Sequence, residues 1–422
     1  MNSFYAANIL IPKNIDMTKW SVVACDQYTS EPDYWNAVSS LVGSAPSTLN
    51  LIYPEIYLSG NKEKRISDIN RKMKEYIDMG LFHELENSMV FVKRSLKNGK
   101  IRSGLIGTID LEDYDYKKGS SSNIRATEGT VMERIPPRVQ IRENAPLEFP
   151  HIMILIDDPD MTVIEPLSDK VDSFGKLYDF NLMQNGGSIC GYSISKEEIQ
   201  RVTNAIETLS SKQVFEEKYG VKNKPVLTFA VGDGNHSLAT AKTCWENIKA
   251  SLSKEEQKTH PARFALIELV NLHDSSLEFE PIHRVIFGVN PEEVYKSIFE
   301  FYPQASETDN GGKKIICTYG SVTKPIWIKD EKNNLAAGTF QDFADDYLSS
   351  HSGTIDYIHG QNVVEELSRK ENNIGFILPA MQKSDLFKTV ILNGALPRKT
   401  FSMGEACDKR YYLEGKKIKK WM

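Results

Sequence analysis

One stretch fixes more of the architecture than any other: Thr228 to Lys242, TFAVGDGNHSLATAK. An apolar run, Pro225 to Val231, stops at Gly-Asp-Gly-Asn-His-Ser. Leu238, Ala241, Trp245, Ile248 and Leu252 then recur at steps of three and four, which predicts a helix with one face on a sheet. A strand, a sharp bend and a helix in so short a distance commit the chain to a mixed α/β fold. The bend sits at the carboxyl end of the strand. There the first amides of the helix and the positive end of its dipole meet an incoming anion.

The side chains on the bend suit that place. Gly232 and Gly234 can take positive φ and let a ligand approach the main chain. Asp233 can hold a metal ion or accept a hydroxyl proton. His236 can donate to a phosphate oxygen or shuttle a proton, and Asn235 and Ser237 add donors or cap the helix. Each residue alone also reads as an ordinary turn or cap residue. Crowded onto one bend, they point to a ligand site. Neither G-x-x-x-x-G-K-[ST] nor G-x-G-x-x-G is present.

Around this motif the chain alternates short strands and helices. Pro32 marks a helix start, with Trp35, Val38 and Leu41 as its apolar stripe. Arg65 to Leu85 is read as one long amphipathic helix. Met89 to Lys93 and Ile101 to Ile109 flank Asn98-Gly99, a hairpin signal, and Phe180 to Ser193 reads as a strand pair bending near Gly186-Gly187. Ser195 to Leu209 has a capping-box start, while Lys117 to Asn123 is a Gly-Ser-rich loop. The expected organisation is a main α/β unit with a mixed sheet over residues 1–302, a smaller α/β unit over 303–385, and a segment, 386–422, returning to the main unit.

Of 422 residues, 51 are basic and 57 acidic, a net charge of −6. Such a surface repels phosphate backbones on average, so no nucleic-acid groove is expected. No run approaches the length of a membrane helix and the start lacks a secretory pattern. The five cysteines are scattered, which suits free thiols in the cytoplasm rather than a zinc site.

At the bend the chain resembles the family called domain of unknown function 1015, whose hallmark is a strand ending in D-G-H-H-R before a helix. Asp233, Gly234, Asn235, His236 and Ser237 stand at those positions, so asparagine replaces the first histidine and serine the arginine. A P-x-H-R segment is matched by Pro281, His283 and Arg284. A T-E-G-T-like segment with a following arginine is matched by Thr127, Glu128, Thr130 and Arg134, and a C-terminal signature by Pro397 to Phe401, including Lys399. The hallmark turn is in turn similar to the phosphate-binding turn of the ParB/sulfiredoxin superfamily, which includes free-serine kinases.

These resemblances imply a nucleotide- and Mg²⁺-dependent phosphotransferase using ATP or ADP on a small hydroxylated metabolite, with serine or phosphoserine as the suggested substrate. Gly232, Gly234, Asn235, Ser237, Arg134, His283, Arg284 and Lys399 would hold phosphate or nucleotide. Asp233, His236 and Glu128 would be catalytic, Glu128 as general base and Asp233 also as metal ligand. His283 and Arg284 are placed in a loop just beyond a strand. Asp157, Asp158 and Asp160 offer a second Mg²⁺ possibility against a plain turn, and Asp26 a further candidate. A phosphatase using the same anion site and a non-enzymatic nucleotide sensor are the alternatives. The oligomeric state is open.

Overall fold

The computed structural model describes residues 2–419 apart from 59, 61, 130, 131, 133, 134 and 398. The chain divides into two units, Met1–Leu277 with Glu405–Met422, and Glu278–Gly404. The divisions fall away from 302/303 and 385/386 for a hydrogen-bonding reason. Strand Phe279–Phe287 pairs with Thr354–His359 and Asn373–Ile377, which binds it to the smaller unit. Phe401–Met403 pairs with the start of the same strand, so only the residues beyond Gly404 return to the first unit.

The first unit is built on a ten-stranded mixed sheet. From one edge its strands are Gly175–Asn181, Ser188–Ser193, Val90–Ser95, Ile101–Asp110, Phe264–Asn271, Met153–Ile156, Phe229–Asp233, Ile124–Ala126 and Tyr114–Asp115, with Phe4–Tyr5 also on Ile101–Asp110. The hairpin at Asn98-Gly99 forms as its sequence predicts, with Gly99 at φ +80°. The second bend is held by Gly187 at φ +79° between paired strands. In the second unit the strand order is Val322–Ile328, Lys313–Tyr319, Asn373–Ile377, Phe279–Phe287, Thr354–His359. Helix Ala336–Ser350 buries Phe340 and Phe343 there against Phe376 and Ile374.

Two expected helices are cut or turned. The long helix runs only Lys62–Asp78, because Gly80 at φ +64° reverses the chain and the Leu81 amide bonds back to the Tyr76 carbonyl at 3.1 Å. Phe82–Ser88 then leaves as a strand. In helix Pro32–Val42, Trp35, Val38 and Val42 are buried while Leu41 is 41 % exposed, so the stripe closes on valine instead of leucine. Ser195 caps helix Lys196–Leu209 as expected, but the Glu198 carboxylate turns to Lys170 and Arg201.

Residues 405–419 are fastened to the first unit in two ways. Tyr411–Tyr412 pairs with Val22–Val23, and Lys416–Lys417 with Leu147–Glu148. Beneath them lies a buried ionic cluster. Glu268, on a central strand, receives Arg410 at 2.8 Å and faces Arg102 at 3.7 Å, while Arg410 also holds Glu414 at 2.7 Å. Gly104 makes room for it: a Cβ there would stand 2.3 Å from a Glu268 carboxylate oxygen. Burial raises the Glu268 carboxyl, but Arg102 and Arg410 outweigh it and hold the group below its usual range.

Candidate functional site

The bend is a strand-to-helix turn, as its sequence predicts. The strand is Phe229–Asp233, Gly234 at φ +79° is the junction, and the helix is Asn235–Lys249. Pro225 to Thr228 stay outside the strand, and the Arg125 guanidinium donates to the carbonyls of Pro225 and Val226. Leu238, Ala241 and Trp245 anchor the helix in the core. Its ladder opens with the Leu238 amide on the Gly234 carbonyl at 2.9 Å, and the amides before it are those a helix cannot satisfy itself. Both glycines are sterically required: a Cβ on Gly232 would stand 2.8 Å from Leu155, and one on Gly234 3.1 Å from the Ile152 backbone. Asn235 Oδ1 is buried with no hydrogen-bond partner.

One Asp233 oxygen accepts the Gly234 amide at 2.9 Å and the other faces Lys409 Nζ at 3.4 Å. Lys409 stands just before the strand Tyr411–Tyr412, and Asp26 just after its antiparallel partner Val22–Val23, so both reach the same end. Burial raises the Asp26 carboxyl, yet His151, a hydrogen bond from Gln27 and Lys409 together hold it below its ordinary value.

His151 precedes strand Met153–Ile156, which runs antiparallel to the turn strand with Met153 opposite Asp233. Its ring is 5 % exposed. Nε2 lies 3.3 Å from Ser237 Oγ, and Nδ1 lies 2.8 Å from the Tyr412 hydroxyl. Tyr412 accepts the Cys25 amide at 3.1 Å, and burial pushes its phenol well above the ordinary value. We assign the Tyr412 proton to His151 Nδ1, which leaves His151 Nε2–H to donate to Ser237. The Ser237 hydroxyl hydrogen is then directed elsewhere. Burial, followed by Asp26, pushes the Cys25 thiol up to about 12, so it is no nucleophile near neutrality.

Ser237, Thr240, His151, Tyr412 and Cys25 form one end of a cavity of about 160 Å³. Its other walls are mainly apolar, with Leu51, Ile52, Met73, Ile141 and Phe149 among them. The charged side chains on its lining are matched, Glu55 with Arg138 and Glu148 with Arg142.

The remaining expected residues fall in three groups. Glu128 follows a strand parallel to the turn strand, in which Ala126 pairs with Val231, and Thr127 Oγ1 donates to the Val231 carbonyl at 2.7 Å. Glu128 and Asp233 are thus each two residues beyond that last pair, at the same sheet end. His283, Arg284 and Lys399 belong to the second unit. The loop expected for His283 and Arg284 is instead the interior of strand Phe279–Phe287. There His283 is 4 % exposed and its Nδ1 accepts the Leu378 amide at 3.1 Å, while Arg284 lies over the Tyr357 ring at 4.6 Å. Lys399 is exposed. Arg134 and Thr130 lie outside the described residues.

Asp157 and Asp158 sit at the opposite end of the sheet, because strand Met153–Ile156 runs away from the turn. Asp157 is taken by Tyr219, His273 and Lys218, and Asp158 by the Thr162 and Val163 amides; the turn reading holds for them. Among the described residues no three His, Cys, Asp or Glu side chains gather as a metal cage. Asp233 therefore fits only an Mg²⁺ that arrives on phosphates, a mode that needs one or two carboxylates. Sequence reasoning missed His151, Lys409 and Tyr412. His151 was visible as the polar head of an apolar strand, but nothing in the spacing of Lys409 or Tyr412 tied them to a turn so far back in the chain.

A mixed α/β unit with a helix-opening turn at one end of its sheet is the class these features define. The chain belongs to the family described as "Protein of unknown function (DUF1015)", whose model matches residues 10–387. No curated protein matches the sequence. Among solved structures it is similar to a free serine kinase in complex with AMP, at 10 % identity and TM-score 0.37, over 76 % of this chain and 92 % of that one. SbnI from Staphylococcus aureus matches at 9 % and 0.36, over 71 % and 82 %. A conserved hypothetical protein from Pyrococcus furiosus matches at 9 % and 0.35, over 74 % and 94 %. Likenesses this loose define neither ligand nor chemistry. No described helix is long and apolar enough to cross a membrane.

Proposed function

We propose that the first unit transfers a phosphoryl group from a nucleotide to a small hydroxylated metabolite. The observation that carries this reading is the convergence, at one sheet end, of the helix opening at Gly234 with Asp233, Lys409, Asp26, His151 and Ser237. A bound nucleotide would supply the phosphoryl group, and Asp233 would hold the Mg²⁺ that offsets the charge of its phosphates.

The rest is the work of the chain's own residues. Gly232 and Gly234 let phosphate oxygens reach the first amides of the helix. His236 and Lys409 stabilise the charge spread over the moving group. Ser237, oriented by His151, directs its hydroxyl to the acceptor. Glu128 takes the acceptor's proton as its oxygen bonds to phosphorus and the bond to the nucleotide's bridging oxygen breaks.

Replacing His236 with alanine is expected to lower turnover at least a hundredfold, within the range for groups that stabilise developing charge, with an unchanged melting temperature. Product formation followed by phosphorus NMR, with ATP and with ADP, reads this out. Undiminished turnover in H236A, or no rise in melting temperature with any nucleotide, ends the assignment. Inorganic phosphate released from phosphoserine without nucleotide would transfer it to a phosphatase.

A further inference from the structure

We propose that the cavity beside the turn is the acceptor subsite, and that it takes a compact alcohol with an apolar body rather than a zwitterionic amino acid. This rests on the phosphotransferase reading for its chemistry, but the binding claim stands on the cavity's own walls.

Size comes first. The cavity measures about 160 Å³, close to the roughly 150 Å³ of an apolar cavity known to admit benzene. Pockets that hold drug-sized ligands run to about 300–1,000 Å³, so this space suits a body smaller than a nucleoside, and the nucleotide is placed outside it. What fits is a body about the size of a benzene ring or a branched pentyl chain.

Polarity comes second. Leu51, Ile52, Leu58, Met73, Ile141 and Phe149 present no hydrogen-bonding side chain, and an unmatched charged group set against them is strongly penalised. A free amino acid brings an ammonium and a carboxylate. The carboxylates and guanidiniums on the lining already neutralise one another as Glu55–Arg138 and Glu148–Arg142, so neither ligand charge finds a partner without breaking a pair.

Direction comes third. Of the uncharged polar side chains on the lining, Ser237, Thr240, His151 and Tyr412 lie together, while Tyr53 gives its hydroxyl hydrogen to the Tyr57 carbonyl at 3.3 Å. Thr240 Oγ1 is turned to the His236 carbonyl at 2.7 Å, and His151 is held between Ser237 and Tyr412. That leaves the Ser237 hydroxyl as the group for a single ligand oxygen. A hydroxyl bound there sits against the first turn of the helix, where phosphate is proposed to bind. Its apolar remainder fills the cavity.

The test is calorimetric titration of the full chain with benzyl alcohol, 3-methylbutan-1-ol, L-serine and, separately, ATP and ADP. Two variants fill the cavity, Ile141→Trp and Ala145→Leu, with folding checked by circular dichroism. The expected result is saturable binding of both alcohols and none of L-serine. At least a tenfold loss of alcohol affinity is expected in each folded variant, with nucleotide affinity unchanged. Alcohol binding that neither filling weakens, no alcohol binding, or L-serine binding abolished by both fillings overturns the inference. Nucleotide binding without alcohol binding defeats this proposal and spares the phosphotransferase reading. Alcohol binding without nucleotide binding does the reverse.

Discussion

At residue 234 the fold needs an amino acid with no side chain. Gly234 holds φ +79° with the Ile152 backbone 3.1 Å from where a Cβ would be. A left-handed conformation costs an L-residue about 1–2 kcal/mol, and the close contact adds to that. Gly234→Ala is therefore expected to lower unfolding stability by about 2 kcal/mol in urea titration. A midpoint equal to wild type would show that the turn relaxes freely. Both glycines, Asp233 and His236 were legible in the sequence because every one of them lies within six residues of the others. Lys409 and Tyr412 were not. They come to the same place only through the pairing of Tyr411–Tyr412 with Val22–Val23, a contact across nearly the whole chain with no local signature.

Among elements, strands and helices with strong local punctuation were readable: the Asn98-Gly99 hairpin, the Ser195 cap, the turn itself. Errors came where tertiary context overruled pattern. Gly80 ended a helix whose periodicity ran on to Leu85. A proline-led segment with His283 and Arg284 looked like a loop, but its even burial on both faces makes it an interior strand.

The central strands also hold what no periodicity announces, a carboxylate in the core. Glu268 reads as an interruption in FALIELVN until Arg410 and Arg102 appear beside it. Removing one partner of a buried ion pair costs about 3–5 kcal/mol, since the other charge is left stranded. Arg410→Met is expected to lose stability on that scale in chemical denaturation. A loss below about 1 kcal/mol would mean that water or rearrangement rescues Glu268.

For the whole molecule, pH tests the burial of charge. Burial pushes the Lys416 ammonium down to about 8, with Glu148 opposing and Arg142 adding to the shift, against an ordinary lysine near 10.4. Between these values the unfolded chain binds more protons than the folded one, so this group makes stability rise with pH from about 8 to about 10. Other groups titrate there too, so the contrast with Lys416→Met isolates it. Thermal unfolding of both proteins between pH 7.5 and 9.5 is expected to show wild type gaining relative to the variant. A constant difference would remove Lys416 from the account. His283 follows the same sign at lower pH. Burial, Arg284 and His359 hold it below its usual value, so the second unit loses stability as the pH falls below about 6.5.

The interruption of the first unit by residues 278–404 has a consequence during synthesis. Lys409, Arg410 and Tyr412 emerge from the ribosome only after every residue of the second unit. Until then Glu268 lacks the Arg410 guanidinium that stands 2.8 Å from it, and His151 lacks the Tyr412 hydroxyl that sets its ring. A nascent chain stalled in the second unit thus carries a large sheet whose Glu268 lacks Arg410 and a pocket that lacks Tyr412, a target for chaperones and proteases.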